Sequence, residues 1–251
     1  MSPSRRTALI AGIWFAITFI ASIPALLLFD PVLNDTDYIL GAGSITRIEV
    51  GALLEIILVV ANIASAVVFY PVLKRQNQAV ALGYVASRTV ESIIIAVGVI
   101  AVMSVVTLRQ DIGGAGAADP ATLEIAGRSL VAIKDWTFLF GPAFCSGFGT
   151  GVLLGYLMYR SGLVPRQLAL FGLIGGPISG AGAIAVLFGA WDQTDAIQFI
   201  LTLGEIVWEL SLTIYLIVKG FRSVPIAEAY DRDVMGERAA APAGVSPASA
   251  L

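Results

Sequence analysis

Apolar residues in this chain fall into six long blocks separated by short polar stretches, and nowhere settle into the strict alternation of a half-buried strand. The blocks run over about residues 8–28, 48–73, 79–108, 132–159, 168–190 and 196–218. A helix rises about 1.5 Å per residue, so about 20 apolar residues cross a hydrocarbon core of about 30 Å. The pattern therefore predicts an all-α fold: one domain over 1–222 built from six transmembrane helices. Pro24, Pro142 and Pro177 lie inside blocks. Membrane bundles tolerate this because neighbours satisfy the carbonyls that proline frees. From 223 to 251 the chain turns into a low-complexity tail ending "AAAPAGVSPASAL", too poor in large apolar groups to order itself.

Composition strengthens the membrane reading. The chain is 57% apolar and 13% charged, with a mean hydropathy of +0.87, whereas a soluble domain is about 25% charged. "MSPSRR" precedes a full-length apolar run, longer than the roughly 7 to 15 residues of a signal core, which predicts an uncleaved first helix. Lys and Arg collect at alternate ends: Arg5 and Arg6, Lys74 and Arg75, Arg160 and Arg166, Lys219 and Arg222. Short cytoplasmic loops attract such residues, so both termini are expected in the cytoplasm. Helices two, four and six each finish Tyr-x-x-x-Lys/Arg (Tyr70 to Lys74, Tyr156 to Arg160, Tyr215 to Lys219), the pattern of an aromatic at headgroup level with a snorkelling cation beyond. The bilayer is thus the first expected partner.

Gly147, Gly151 and Gly155 recur every fourth residue in the fourth block, and Gly172, Gly176 and Gly180 do so in the fifth. Apolar surface drives little association in lipid, so close backbone approach along small-residue faces takes its place. The short connection between the two blocks makes these helices antiparallel neighbours, and the glycines read as packing surface.

Ionisable groups within the blocks are few. An ionisable side chain near the bilayer centre costs about 2.5 to 3.5 kcal/mol on insertion scales, so such groups turn inward and find partners. They are Glu55 with Asn62 in helix two, Arg88 with Glu91 in helix three, and Glu205 with Glu209 in helix six; Lys134 and Asp135 lie nearer the end of helix four. By helical rise, Arg88 and Glu91 lie roughly 14 to 20 Å deep and Glu205 roughly 15 Å deep from the opposite side, which brings them to a common level. Gln198, Thr202, Glu205, Glu209 and Thr213 draw one polar stripe along helix six. These spacings predict a network of Arg88, Glu91, Glu205 and Glu209, with Glu55 as a fifth member.

Several chemistries are excluded. The chain has no histidine and one cysteine, Cys145, which removes the usual neutral-pH base, haem and zinc ligation through His, and any disulfide within the chain. No dinucleotide or phosphate-loop motif and no basic stripe for nucleic acid occurs, and no metal or cofactor is expected. "GEIVWE" holds Glu-x-x-x-Glu, a spacing that suits a metal-held lipid diphosphate, yet "GGPISGAG" lacks the arginine that a phosphate loop needs. The residues support binding of a small polar ligand or proton-coupled transport first. A structural or sensory subunit, or an intramembrane hydrolase using Glu205 and Glu209, remain alternatives, and nothing fixes the oligomeric state.

Four stretches carry a resemblance: "ASRTVESIII", "IKDWTFLFGP", "LLGYLMYRSGLVPRQLALFGLIGG" and "GEIVWELSLTIYLIVKGF". They resemble the bacterial membrane family known as domain of unknown function 4386, over about residues 5–222. The resemblance implies a multi-pass protein of the bacterial inner membrane. Relatives often carry His where Lys134 stands, so this chain departs from the family pattern there.

Overall fold

The structure is a computed structural model that describes residues 1–112 and 119–240. Helix makes up 86% of it, and no strand occurs among the described residues. Six helices are long and apolar enough to span a membrane: α1 Pro3–Asn34, α2 Ile45–Leu73, α3 Gln78–Ile112, α4 Pro120–Ser161, α5 Arg166–Leu187 and α6 Ala196–Val218.

Several helices outrun the apolar blocks because capping chemistry sets their ends. Ser2 accepts from the Arg5 amide and Pro3 occupies the first turn, so α1 begins well before its lipid-facing run. Asp119 accepts from the Thr122 amide with Pro120 next, so "PATLEIAGR", a stretch of the connecting loop whose sequence suits a helical turn or two at the membrane surface, forms the opening turns of α4. Residues 113–118 of that loop lie outside the described residues. At the far end of α4, Gly162 takes φ 70°, the left-handed value that stops a helix.

The six spans form a ring. Each packs on its chain neighbours, and α6 returns to α1, where the Arg5 guanidinium donates to the Leu216, Ile217 and Val218 carbonyls at the end of α6. One apolar core (Phe15, Phe69, Tyr84, Trp208, Leu212) fills the end nearest the chain termini. A second (Phe29, Tyr38, Ile48, Val102) fills the other. There Arg109 stacks over Tyr38, 4.6 Å from its ring, and donates to the carbonyls of Gly41, Ala42 and Gly43. Burial pushes the Tyr38 phenol above its usual pKa. Outward-facing residues such as Ile20, Leu27 and Ile100 are more than half exposed and form the surface a bilayer would cover.

α4 is not a regular helix. Across Leu139–Cys145 and Gly147–Leu154 its hydrogen bonds widen to the i→i+5 pattern of a π-helix. Pro142 cannot donate to the preceding turn, and the glycines nearby impose little resistance to rewinding. This stretch faces α5 backbone to backbone. A Cβ on Gly147 would lie 2.8 Å from the Gly176 carbonyl oxygen, and one on Gly151 would lie 2.5 Å from the Gly176 Cα. A Cβ on Gly155 would lie 3.2 Å from the Leu173 amide nitrogen, and one on Gly172 would lie 2.7 Å from the Trp208 ring. At Gly180 a Cβ would point into open space, with nothing within 4 Å, although the Gly180 backbone nitrogen still lies 3.4 Å from where a Cβ on Gly147 would stand.

The expected unstructured tail is corrected in its first half. Residues Pro225–Ala240 form a helix, α7, which packs on α1 and α2 at the terminal end. Asp231 accepts from the Ser4 amide and hydroxyl, Tyr230 meets Thr7 at 3.1 Å, and Arg75 both pairs with Asp233 at 2.8 Å and covers the Tyr230 ring. Low hydrophobicity failed as a guide because a few apolar side chains (Ala227, Ile226, Tyr230) against the core, joined by these polar contacts, seat the helix. Residues 241–251 lie outside the described residues.

Candidate functional site

Arg88 is the hub of a buried polar cluster. It lies on α3, 2% exposed, with its guanidinium over the Phe15 ring of α1 at 5.7 Å. Nη1 donates to Glu91 Oε2 at 2.9 Å and to the Thr150 hydroxyl at 3.2 Å, and Nη2 donates to Asn62 Oδ1 at 2.5 Å. Asn62 closes the loop from α2 by donating its amide to Glu91 Oε1 at 3.2 Å. Three helices are thus joined through one guanidinium, and the i, i+3 spacing of Arg88 and Glu91 lets α3 supply both charges.

The stripe on α6 reaches the same cluster. Glu209 stands 3.8 Å from Arg88 Nη1 and accepts from the Ser146 hydroxyl of α4 at 2.8 Å. Glu205, one turn away, is 4% exposed, and neither of its carboxylate oxygens has a hydrogen-bond partner. It sits against the glycine seam: a Cβ on Gly151 would come within 2.6 Å of Glu205 Oε2. The α4–α5 packing therefore makes room for this carboxylate yet provides it no donor. Arg88 Nε and the Tyr84 hydroxyl, one turn apart on α3, are also buried without partners.

Of the sequence candidates, Arg88, Glu91, Glu205, Glu209 and Asn62 lie in this region, and Glu55 does not join it. Glu55 pairs with Lys134 of α4, whose Nζ lies 2.5 and 2.7 Å from its two oxygens and 5.1 Å from the Phe29 ring centre. The reason is distance along α2: Glu55 precedes Asn62 by two turns, about 10 Å, beyond the reach of Arg88. Lys134 folds inward along Gly98 of α3, where a Cβ would lie 3.0 Å from the lysine Cδ. The bundle thus holds two ionic groups on two levels.

Three contributors escaped the sequence reading. Thr150 and Ser146 are hydroxyls on α4, a residue type that commonly satisfies itself on its own helix and so gives no signal. Tyr84 could have been found, since it lies four residues before Arg88 on the same face of α3. The Trp208 indole donates to the Thr150 carbonyl at 3.0 Å, which ties α6 to the rewound part of α4 beside the cluster.

The fold and the buried charges define the class, a multi-pass all-helical membrane protein with ionic groups inside its bundle. The chain belongs to the family described as Domain of unknown function (DUF4386), which it matches over residues 10–220. No curated protein and no solved structure matches it.

Proposed function

We propose that the bundle binds a small polar ligand of net positive charge at the Arg88, Glu91, Glu205 and Glu209 cluster and moves it across the membrane with proton coupling. The observation that carries this reading is Glu205, a carboxylate buried to 4% exposure with both oxygens unpartnered. One guanidinium faces three carboxylates, so two negative charges remain to be offset by protons or by a cation. An intramembrane carboxylate without a partner is costly and marks a substrate or proton path more readily than a structural brace. We place the protein in the bacterial inner membrane, with the termini and α7 in the cytoplasm; the alternate clustering of Lys and Arg supports that orientation.

The Arg88, Glu91 and Asn62 triangle favours a second, structural role for that half of the cluster, since each member is hydrogen-bonded to the other two. The two roles are compatible, because a rigid triangle would hold the hub while Glu205 and Glu209 exchange partners.

The test is thermal unfolding of the purified protein in detergent against a panel of small ammonium and zwitterionic compounds, with each stabilising compound then tried on proteoliposomes loaded with a pH-sensitive dye. The reading expects at least one ammonium compound to raise the melting temperature of wild type but not of Glu205→Gln, and to drive proton movement. A panel in which nothing distinguishes wild type from the variant would overturn it.

A further inference from the structure

We infer that residues 219–240 form a strap that closes the end of the bundle nearest the chain termini, and that the Arg88 cluster opens to that side when the strap lifts. This closure regulates access to the site proposed above and rests on that reading for what is admitted. The closure itself is a matter of packing.

The strap crosses the ring of helices. It leaves α6 at Gly220, whose φ of 76° turns the chain out of the helix, and a Cβ there would lie 2.5 Å from the Arg5 Cδ. The Arg222 amide then donates to the Leu163 carbonyl, in the turn between α4 and α5, at 2.9 Å. From there α7 runs onto α1 and α2. On the way the Phe221 ring stands 6.1 Å from that of Phe69 on α2, which in turn stands 5.8 Å from Phe15 and 6.4 Å from Tyr84. Phe15 covers the Arg88 guanidinium, and Tyr84 lies one turn from Arg88 toward the terminal end. A run of four rings therefore separates the cluster from that end, and the outermost ring belongs to the strap.

Little holds the strap down. Among the described α7 side chains only Ala227 is buried in the core, with Ile226 and Tyr230 partly buried beside it. The polar anchors are two carboxylates: Asp231 accepts from the Ser4 amide and hydroxyl at 2.5 and 2.8 Å, and Asp233 pairs with Arg75 at 2.8 Å. The side chains of that pair are 57% and 27% exposed, so water screens it and it adds little. An element with few buried contacts opens ahead of the bundle it covers. When α7 leaves Ser4 and Arg75, Phe221 is drawn off Phe69, and the three inner rings lose their cover.

Ser65 can report the opening. It lies on α2 between Asn62 and Phe69, fully buried, with its hydroxyl on the Asn62 carbonyl of its own helix, so Ser65→Cys sets a thiol behind the rings. In a Cys145→Ser background, reaction of that thiol with a cationic methanethiosulfonate is timed by mass spectrometry on the full chain in phosphatidylcholine nanodiscs, with folding of each variant checked by its unfolding curve. Asp231→Ala and Phe221→Ala should each speed labelling at least tenfold, while Glu237→Ala, at an exposed α7 position, should leave it within twofold. Trypsin cleavage after Arg232, followed without the reporter thiol, measures release independently and should quicken at least tenfold in Asp231→Ala. Unchanged cleavage, or unchanged labelling in both strap variants, overturns the strap as the closure and leaves the Glu205 reading intact, since neither readout involves a ligand. Faster labelling and cleavage in a protein whose compound panel does not distinguish wild type from Glu205→Gln would uphold the strap and remove the cargo.

Discussion

Lys134 with Glu55, and Arg88 with Glu91, Glu205 and Glu209, use the same kinds of group at two levels of one bundle, yet they balance differently. In the first, a single ammonium meets both oxygens of a single carboxylate, and the Phe29 ring covers the cation. In the second, a single guanidinium holds Glu91 closely at 2.9 Å and Glu209 loosely at 3.8 Å, while Glu205 goes without. A matched pair, once desolvated, has nothing further to bind and acts as a brace between α2 and α4. An unmatched cluster keeps the capacity to take up a proton or a cation, which is the physical basis of the function proposed above.

The comparison breaks most severely at Arg88. Arg88→Leu strands Glu91 and Glu209 in the interior, and losing one partner of a buried pair costs about 3–5 kcal/mol. Denaturant unfolding in detergent should show the variant largely unfolded or failing to accumulate. Lys134→Met should cost a similar 3–5 kcal/mol by leaving Glu55 alone, but the double variant Lys134→Met with Glu55→Leu should recover most of that loss, because replacing both members of a buried pair by apolar groups is often neutral. If the double variant folds yet loses ligand response, the brace assignment is wrong.

Gly151→Ala comes next. Its new methyl meets the Gly176 Cα and Glu205 Oε2, a case of overpacking worth about 1–3 kcal/mol, whereas Gly180→Ala should fall within about 0.5 kcal/mol of wild type on the same unfolding curve. Glu205→Gln should hold or raise stability, since the charge it removes is buried without a partner and a neutral amide costs less to bury than an unpaired carboxylate. A loss as large as that at Arg88 would show that Glu205 braces the fold. The smallest effect belongs to the exposed pair of Arg128 and Glu124, where Arg128→Ala should cost about 0.3–0.5 kcal/mol and lose even that in high salt.

Much of this architecture was legible beforehand because hydropathy acts locally. Each span needs only its own residues to be apolar enough, so all six appear where the blocks lie, and the α6 stripe reads off helical spacing. The ends were less legible: Ser2 and Asp119 extend α1 and α4 through capping contacts that hydropathy does not weigh. α7 was missed because it depends on Ser4, Thr7 and Arg75, residues remote in sequence.

Hydropathy and helical spacing already imply six membrane-crossing helices, a glycine contact between α4 and α5, and inward positions for Arg88 and Glu205. Composition and helical period settle those matters, since the cost of exposing a backbone group or a charge to lipid applies whatever the partner. The partners emerge only in the packed bundle: Lys134 took Glu55, Asn62 took Arg88, Ser146 took Glu209, and Glu205 was left facing glycine. Pairing depends on a few ångströms of depth between helices, which no single helix encodes.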